Sequence, residues 1–366
     1  MIGIIGGYGD VGLQALRLLN EWGKQPLRIG GRQPETAQAQ LGPKFSQAEW
    51  VKVDIEDDRS LEVFLHGCNL IINCAGPSHQ TALRVARMCL AKGCHHVDAG
   101  IDKSLARLRG MPQSSVVLYA AGATPGLSGL LPRWLAKAFD QVETIVCYTG
   151  ALDRFTASAA EDYLAGVADT SNRPLVAWRN GACQAAALRR RSGVTLPFFS
   201  REVTLYPYFD EEAEFVAASL LLQAGEWYIV SDGSHVPAVL EEARFQFLSD
   251  RKDAVQRLCT ASAFDLAGRQ SYMNFITQLN GMKNGAAITR TLVLQADRPS
   301  VVTGLTAASA GIAVLEGEIP AGVRPLAEIP DPDKVLARLH NTKFINRLQV
   351  LDCSVDQLLQ AVEGEI

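Results

Sequence analysis

The chain opens Ile2-Gly3-Ile4-Ile5-Gly6-Gly7-Tyr8-Gly9-Asp10-Val11-Gly12, and this stretch decides the fold. Ile2 to Ile5 is an apolar run of strand length, ended by glycines. Beyond it Leu13, Ala15, Leu16, Leu18 and Leu19 recur at helical spacing as far as Trp22. Between the two, Gly7, Gly9 and Gly12 make the pattern G-x-G-x-x-G. A strand, a glycine turn and a helix are the surroundings in which that pattern binds a dinucleotide. Gly7 makes the tight turn, Gly9 lets the backbone approach a pyrophosphate, and Gly12 allows close helix–strand packing. The free N–H groups at the helix start then face the phosphates. Tyr8, Asp10 and Val11 fill the loop and join the predicted cofactor site.

Working outward, Leu27 to Ile29 is a second strand, ended by Gly30, Gly31 and Arg32. A site for NAD carries Asp or Glu there, to hold the ribose 2′-hydroxyl. Here Gly31 and Arg32 take its place, so nothing repels a 2′-phosphate, and the guanidinium can pair with one bidentately. The spacing therefore predicts NADP(H). Trp50 to Asp54 is a third strand, which places Asp54 and Ile55 beside the adenine. A short helix over 57–67 follows. Leu70 to Cys74 is a strongly apolar fourth strand, and its end, Cys74-Ala75-Gly76-Pro77, falls at the switch-point crevice near the nicotinamide. Ser78 to Lys92 is a helix stopped by Gly93. Strands at 96–98 and 116–119 complete an alternation that means a doubly wound parallel sheet.

The 366 residues are long enough for two or three domains. Apolar residues make up 48% and charged residues 20%, which excludes a disordered or fibrous chain. A net charge of −4 argues against a nucleic-acid binder. No apolar run approaches the roughly 20 residues of a membrane helix, and the opening lacks the basic and cleavable parts of a signal peptide. Eight cysteines without a C-x-x-C pair read as reduced thiols of a cytoplasmic protein. The six histidines show no metal spacing, so no metal site is expected.

From 123 to 299 the alternation is lost. Strands are predicted at 142–148, 201–206, 227–230 and 290–296, and helices at 156–168 and 242–247. These suit an antiparallel sheet with helices on one face. Arg189, Arg190 and Arg191 read as an exposed loop. The tail from Asp331 to Ile366 reads as two amphipathic helices. Tyr163, Tyr206, Tyr208, Tyr272 and Asn274 are candidates for a flat, aromatic pocket. Hydride transfer with such a cofactor also needs an acid or base of suitable pKa beside the reacting atom. Asp98, at a strand end, His96 and Tyr163 are the candidate catalytic groups. His235 reads as a loop residue able to close over a site.

The stretches Ile4 to Gly12, Ile71 to Pro77, His95 to Ala99 and Gly122 to Gly126 together resemble the saccharopine dehydrogenase-like reductases. That family carries G-x-H-Y-V-D and G-x-D-P-G where this chain has His96 and Thr124 at the tyrosine and aspartate positions. The stretch from Gly304 to Val323 is similar to the family's C-terminal helix and turn. The resemblance implies an NADP-binding Rossmann domain over 1–122, completed by helices of 300–366. It also implies an inserted α+β domain over 123–299 for substrate and for pairing two subunits, hence a homodimer. One branch of the family reduces a thiazoline ring during siderophore assembly, on an intermediate tethered to a peptide-synthetase carrier protein. The resemblance thus implies NADPH-dependent reduction of an imine C=N bond. A saccharopine- or opine-type amino-acid dehydrogenase and a non-catalytic NADP(H) sensor are the competing readings.

Overall fold

The computed structural model describes every residue except 24, 111–113, 170–172, 341 and 364–366. The chain divides into two compact units, Met1–Leu127 with Ser300–Asn341, and Ser128–Pro299 with Thr342–Ile366.

The first unit begins with β1 (Ile2–Ile5), α1 (Asp10–Trp22), β2 (Leu27–Gly31), α2 (Pro34–Leu41), β3 (Glu49–Lys52), α3 (Asp58–Leu65), β4 (Leu70–Asn73), α4 (Ser78–Ala91), β5 (His95–Asp98) and β6 (Val116–Tyr119). The second unit contributes α5 (Leu127–Ala136), β7 (Gln141–Leu152), α6 (Ala157–Ala168), β8 (Ala177–Arg179), β9 (Ala182–Gln184), β10 (Arg191–Val194), β11 (Val203–Pro207) and α7 (Glu211–Ser219). It continues with β12 (Ala224–Ser231), α8 (His235–Ser249), α9 (Arg251–Leu266), β13 (Tyr272–Lys283) and β14 (Ala286–Ala296). The chain then returns to the first unit with α10 (Pro299–Leu315), β15 (Gly322–Pro325) and α11 (Asp333–His340), and ends in the second with β16 (Arg347–Leu351) and α12 (Val355–Glu363).

Among the described residues the first unit holds a seven-stranded parallel sheet in the order β15-β6-β5-β4-β1-β2-β3. The chain leaves β1 toward β2 and β3, then crosses back to β4, so the order reverses between β1 and β4. That is the doubly wound sheet the alternation predicts. β1 and β4 are wholly buried, as strands covered on both faces must be. Helix α10 is buried along nearly its whole length. A Cβ on Gly304 would lie 2.4 Å from the Val11 carbonyl oxygen, so α10 packs directly on the backbone of α1.

β5 is tied to β6 by a side chain as well as by its ladder. The Val116 N–H donates to His95 Nδ1 at 3.0 Å. Burial lowers the His95 pKa below its ordinary value, favouring the neutral ring that accepts this bond. The unfolded chain protonates His95 near its ordinary pKa and the folded chain lower. The bond's stabilisation is therefore complete above about pH 6.5 and is lost as pH falls below it. Replacing His95 with Leu leaves the Val116 N–H unpaired, and urea unfolding at pH 7.5 is expected to show a loss of about 1–3 kcal/mol. The variant is also expected to show less destabilisation than the parent on going to pH 5.5. An equal acid sensitivity in both proteins would remove His95 from this account.

The second unit is a mixed sheet ordered β10-β11-β12-β7-β13-β14-β16, with β8 and β9 branching from β12. β12 and β7 are parallel and the other ladders antiparallel. The predicted strands at 142–148, 227–230 and 290–296 fall within β7, β12 and β14, and that at 201–206 overlaps β11, which starts two residues later. Arg189 and Arg190 are exposed as expected, whereas Arg191 starts β10.

Two expectations are corrected. Residues 300–341 complete the first unit as expected, but the rest of the tail does not: from residue 342 it joins the second sheet, where β16 pairs with β14 over five residues. It is also not two helices. A strand separates α11 from α12, because Arg347–Leu351 supplies the ladder that the outer edge of β14 lacks, and residues 364–366 of that reading lie outside the described residues. No helix among the described residues is long and apolar enough to cross a membrane.

Candidate functional site

The first unit gathers the predicted cofactor residues at the carboxyl ends of four adjacent strands. The turn from Gly7 to Gly12 follows β1, and Gly31 and Arg32 end β2. Asp54 and Ile55 follow β3, and Cys74 to Pro77 follow β4. In an open parallel sheet this is the crevice where ligands bind, at the strand-order reversal.

The turn is built by close backbone approach. Gly6 has φ 72°, and its N–H donates to the Gly30 carbonyl at 2.9 Å. Gly12 sits on the Gly6 carbonyl so tightly that a Cβ would be 2.2 Å from the oxygen. Helix α1 starts at an extended Gly9 with no side-chain cap, and Asp10 stands in its first turn. An uncapped helix start over a glycine turn is a phosphate cradle.

At the end of β2, Tyr8 lies against Gly31, where a Cβ would be 2.3 Å from the phenolic oxygen. The Gln33 N–H donates to that oxygen at 2.7 Å. Arg32 is exposed and has no ion pair among the described residues. Lys52 stands in register with Gly31 on β3 and is also exposed. It is a second cation beside Arg32 that motif reading missed, because only sheet register brings it there. Asp54 is exposed, and its Oδ1 accepts from the Glu56 N–H at 3.0 Å. Arg32 at the end of β2 and Lys52 at the end of β3, with Asp54 turned to its own loop, fit a dinucleotide bearing a 2′-phosphate.

The β4 end is braced from beneath. Asn73 Nδ2 donates to Asp98 Oδ2 at 2.7 Å, and Asn73 Oδ1 accepts from the Ala75 N–H at 3.2 Å. Asp98 Oδ1 accepts from the Gly100 N–H at 2.9 Å. Burial and the Asp98 carboxylate push the half-buried Cys74 thiol far up, so it stays protonated and is no nucleophile.

Asp98 and His96, the candidate acids of β5, are buried. Their side chains are 1% and 0% exposed, sealed in a central strand. His96 Nε2 lies 3.5 Å from Asp98 Oδ2 without a hydrogen bond, and its Nδ1 faces Cys89 Sγ at 3.9 Å. Asp98 spends both oxygens holding the loops after β4 and β5. Residue type pointed to chemistry, but the burial of β5 on both faces is a tertiary fact.

The second unit holds the third candidate, Tyr163, which is 36% exposed on α6 and packs against Phe155. His235 is no loop residue: it is the first residue of α8. Its Nδ1 lies 2.8 Å from Asp265 Oδ1, and its side chain is 55% exposed. Asp265 also accepts from the N–H groups of Ser234, His235 and Val236. Burial acts to raise its pKa, but these bonds and the His235 ring outweigh it and hold it below the usual carboxylate range. Asp265 thus orients the imidazole and leaves Nε2 for proton transfer. Sequence reading missed this pair because its members are 30 residues apart.

A cavity of about 430 Å³ also lies in this unit. Tyr272 and Asn274, of the five residues proposed for an aromatic pocket, line it; Tyr163, Tyr206 and Tyr208 do not. Of Arg154, Arg173, Arg179, Arg201 and Arg290, the arginines that would serve a polycarboxylate, Arg173, Arg179 and Arg290 are engaged by Glu214, Glu226 and Asp352, while Arg154 and Arg201 are exposed with no ion pair among the described residues. Among the described residues no three His, Cys, Asp or Glu side chains converge as a metal site would need.

Residues 2–124 match the family model described as the saccharopine dehydrogenase NADP binding domain. The whole chain is similar in structure to the saccharopine dehydrogenase (L-Glu forming) of Saccharomyces cerevisiae. The TM-score is 0.68 at 14% identity, over 96% of this chain and 99% of that one. Against the DAP dehydrogenase of C. glutamicum the TM-score is 0.45 at 16% identity, over 93% and 98% of the two chains. At 14% identity the likeness to the yeast enzyme is one of fold. No curated protein matches the sequence. The domain match and the cations at the ends of β2 and β3 assign NADP(H) as the cofactor.

Proposed function

From the premise of a saccharopine dehydrogenase-like chain with an NADP-binding domain, we propose a reductase that saturates a C=N bond. Our reading of the substrate is a thiazolinyl imine, reduced to a thiazolidine while tethered to a carrier protein. The coarser assignment, an NADP-dependent oxidoreductase, rests on the domain match and the cradle. The finer one is carried by the engaged arginines of the second unit. A saccharopine-type substrate bears several carboxylates and needs convergent free guanidinia. Here three of the five candidate arginines, Arg173, Arg179 and Arg290, are already paired within the chain, and only Arg154 and Arg201 of the five are without an ion pair among the described residues. The resemblance adds a homodimer to this reading.

The bound nicotinamide supplies the hydride. The chain's work is to hold the dinucleotide and deliver a proton to the imine nitrogen. The turn from Gly7 to Gly12 would hold the pyrophosphate, Arg32 and Lys52 the 2′-phosphate, and Cys74 to Pro77 would flank the nicotinamide. Tyr163 stays a candidate proton donor of the second unit, and His235 joins it because Asp265 holds its ring through Nδ1 and leaves Nε2 open to pass a proton.

NADPH oxidation by the purified protein with a small thiazoline ester, beside α-ketoglutarate plus lysine, tests the reading. Turnover is expected with the thiazoline and not with the amino-acid pair. Turnover with the pair alone would move the chain to opine chemistry. NADPH binding without either turnover would reject the imine reading and favour a sensor.

A further inference from the structure

The second-unit cavity has a wall built with care. Phe198 has φ 67°, a left-handed conformation that a bulky residue adopts only when its surroundings force it. Two contacts enforce it: Asn274 Nδ2 donates to the Phe198 carbonyl at 2.9 Å, and the Arg347 guanidinium lies 4.8 Å over the Phe198 ring. Asn274 is itself buried, and its Oδ1 faces Gln295 Nε2 at 3.3 Å. Phe199 next to it packs edge-on to Tyr272, with ring centroids 5.7 Å apart. It has room there only because β7 has a glycine at 150, where a Cβ would be 2.6 Å from its ring. Strain kept by several neighbours at a cavity wall marks a ligand clamp.

The charges of the lining narrow the ligand. Arg269 is neutralised by Asp232, to which its guanidinium donates. The Tyr272 hydroxyl is buried beside that pair without a well-aligned partner, and burial first, then the Asp232 carboxylate, keep the phenol protonated. Arg201 is exposed at the rim and has no partner among the described residues. Asp297 is also at the rim, and Asn346, a neutral group, donates to it at 2.6 Å. Arg347, over the Phe198 ring, is a second exposed guanidinium with no ion pair among the described residues, and the Asp297 carboxylate offsets one of the two, which leaves the lining one net positive charge for one negative charge. Aromatic rings and planar carboxamides favour a flat body.

We propose that this cavity binds a flat, aromatic-type ligand carrying a single negative charge, with Arg201 as its charge partner and Asp297 as the group that excludes dianions. Identifying that ligand with the reductase's substrate rests on the reading above; the cavity's ligand preference does not.

Calorimetric titration of the apo protein with benzoate, cyclohexanecarboxylate and glutarate separates these features. Benzoate is expected to bind in the millimolar range that so small a ligand permits. Cyclohexanecarboxylate, of equal charge but not flat, is expected to bind several-fold more weakly, and glutarate more weakly still. Arg201→Gln is expected to weaken benzoate about tenfold or more, the effect of losing a charge-assisted bond. Its NADPH titration is expected to remain that of the parent, which shows that the variant is folded. Asp297→Asn is expected to narrow the gap between glutarate and benzoate. The proposal is overturned by absent benzoate binding at tens of millimolar, by unchanged binding in Arg201→Gln, or by glutarate binding as tightly as benzoate. Because no turnover is measured, failure here leaves the imine reading standing, and failure of the thiazoline assay leaves the cavity standing.

Discussion

Gly12→Ala is expected to cut NADPH affinity about 10- to 100-fold and to lower the melting temperature by roughly 5 °C. The new Cβ would stand 2.2 Å from the Gly6 carbonyl oxygen and 2.8 Å from the Gly7 Cα. Both are backbone atoms, so no side chain can swing aside, and α1 must lift from the turn. It cannot lift freely, because Gly304 of α10 is pressed on its other side. Overpacking of this kind costs about 1–3 kcal/mol, and the phosphate cradle loses its geometry together with the fold. Gly23→Ala is the control. Gly23 has φ 62° but open space around it, so its substitution carries only the conformational strain, about 1 kcal/mol, away from the cradle. A fluorescence titration with NADPH beside a thermal scan separates the two. Parent-like affinity in Gly12→Ala would show that the turn is not where the pyrophosphate sits.

Arg32→Glu is expected to reverse the cofactor preference. A guanidinium pairing with a 2′-phosphate contributes about 1.5–3 kcal/mol, and a carboxylate in its place adds repulsion. NADPH is expected to bind about 100-fold more weakly or worse, while NADH, which has a hydroxyl there, changes by a few-fold at most. Arg32 is exposed and unpaired, so the fold has little to lose by its removal. Lys52, in register with Gly31, is the reason a remnant of NADPH preference is expected in Arg32→Ala and not in the charge reversal. Equal losses for both cofactors would take Arg32 out of 2′-phosphate recognition.

The Rossmann unit was legible because its signals are local. The buried strands Ile2–Ile5 and Leu70–Asn73 are short apolar runs bounded by turn residues, and the cradle lies within a dozen residues of the first. The second sheet was only partly legible. β13 pairs with β7 on one side and β14 on the other, and its run Tyr272–Lys283 mixes polar and apolar residues without clean alternation. A strand with neighbours on both sides takes its conformation from partners more than from its own pattern. β16 shows this most plainly, since an amphipathic tail becomes a strand where β14 offers an open edge.

The same division runs through the site. Glycine at 7, 9 and 12 and arginine in place of an acid at 32 are demands of backbone approach and charge, made within a few bonds of the residues concerned. The sequence alone therefore determined a dinucleotide cradle and its preference for a 2′-phosphate. Whether a titratable side chain is open or sealed depends on what packs over it. Only the tertiary structure could decide that Asp98 and His96 are anchors inside β5, that Asp265 orients His235, and that Phe198, Arg201, Tyr272, Asn274 and Asp297 share one cavity. Those groups are brought together by strand pairing across a hundred residues of chain, and no spacing in the sequence records it.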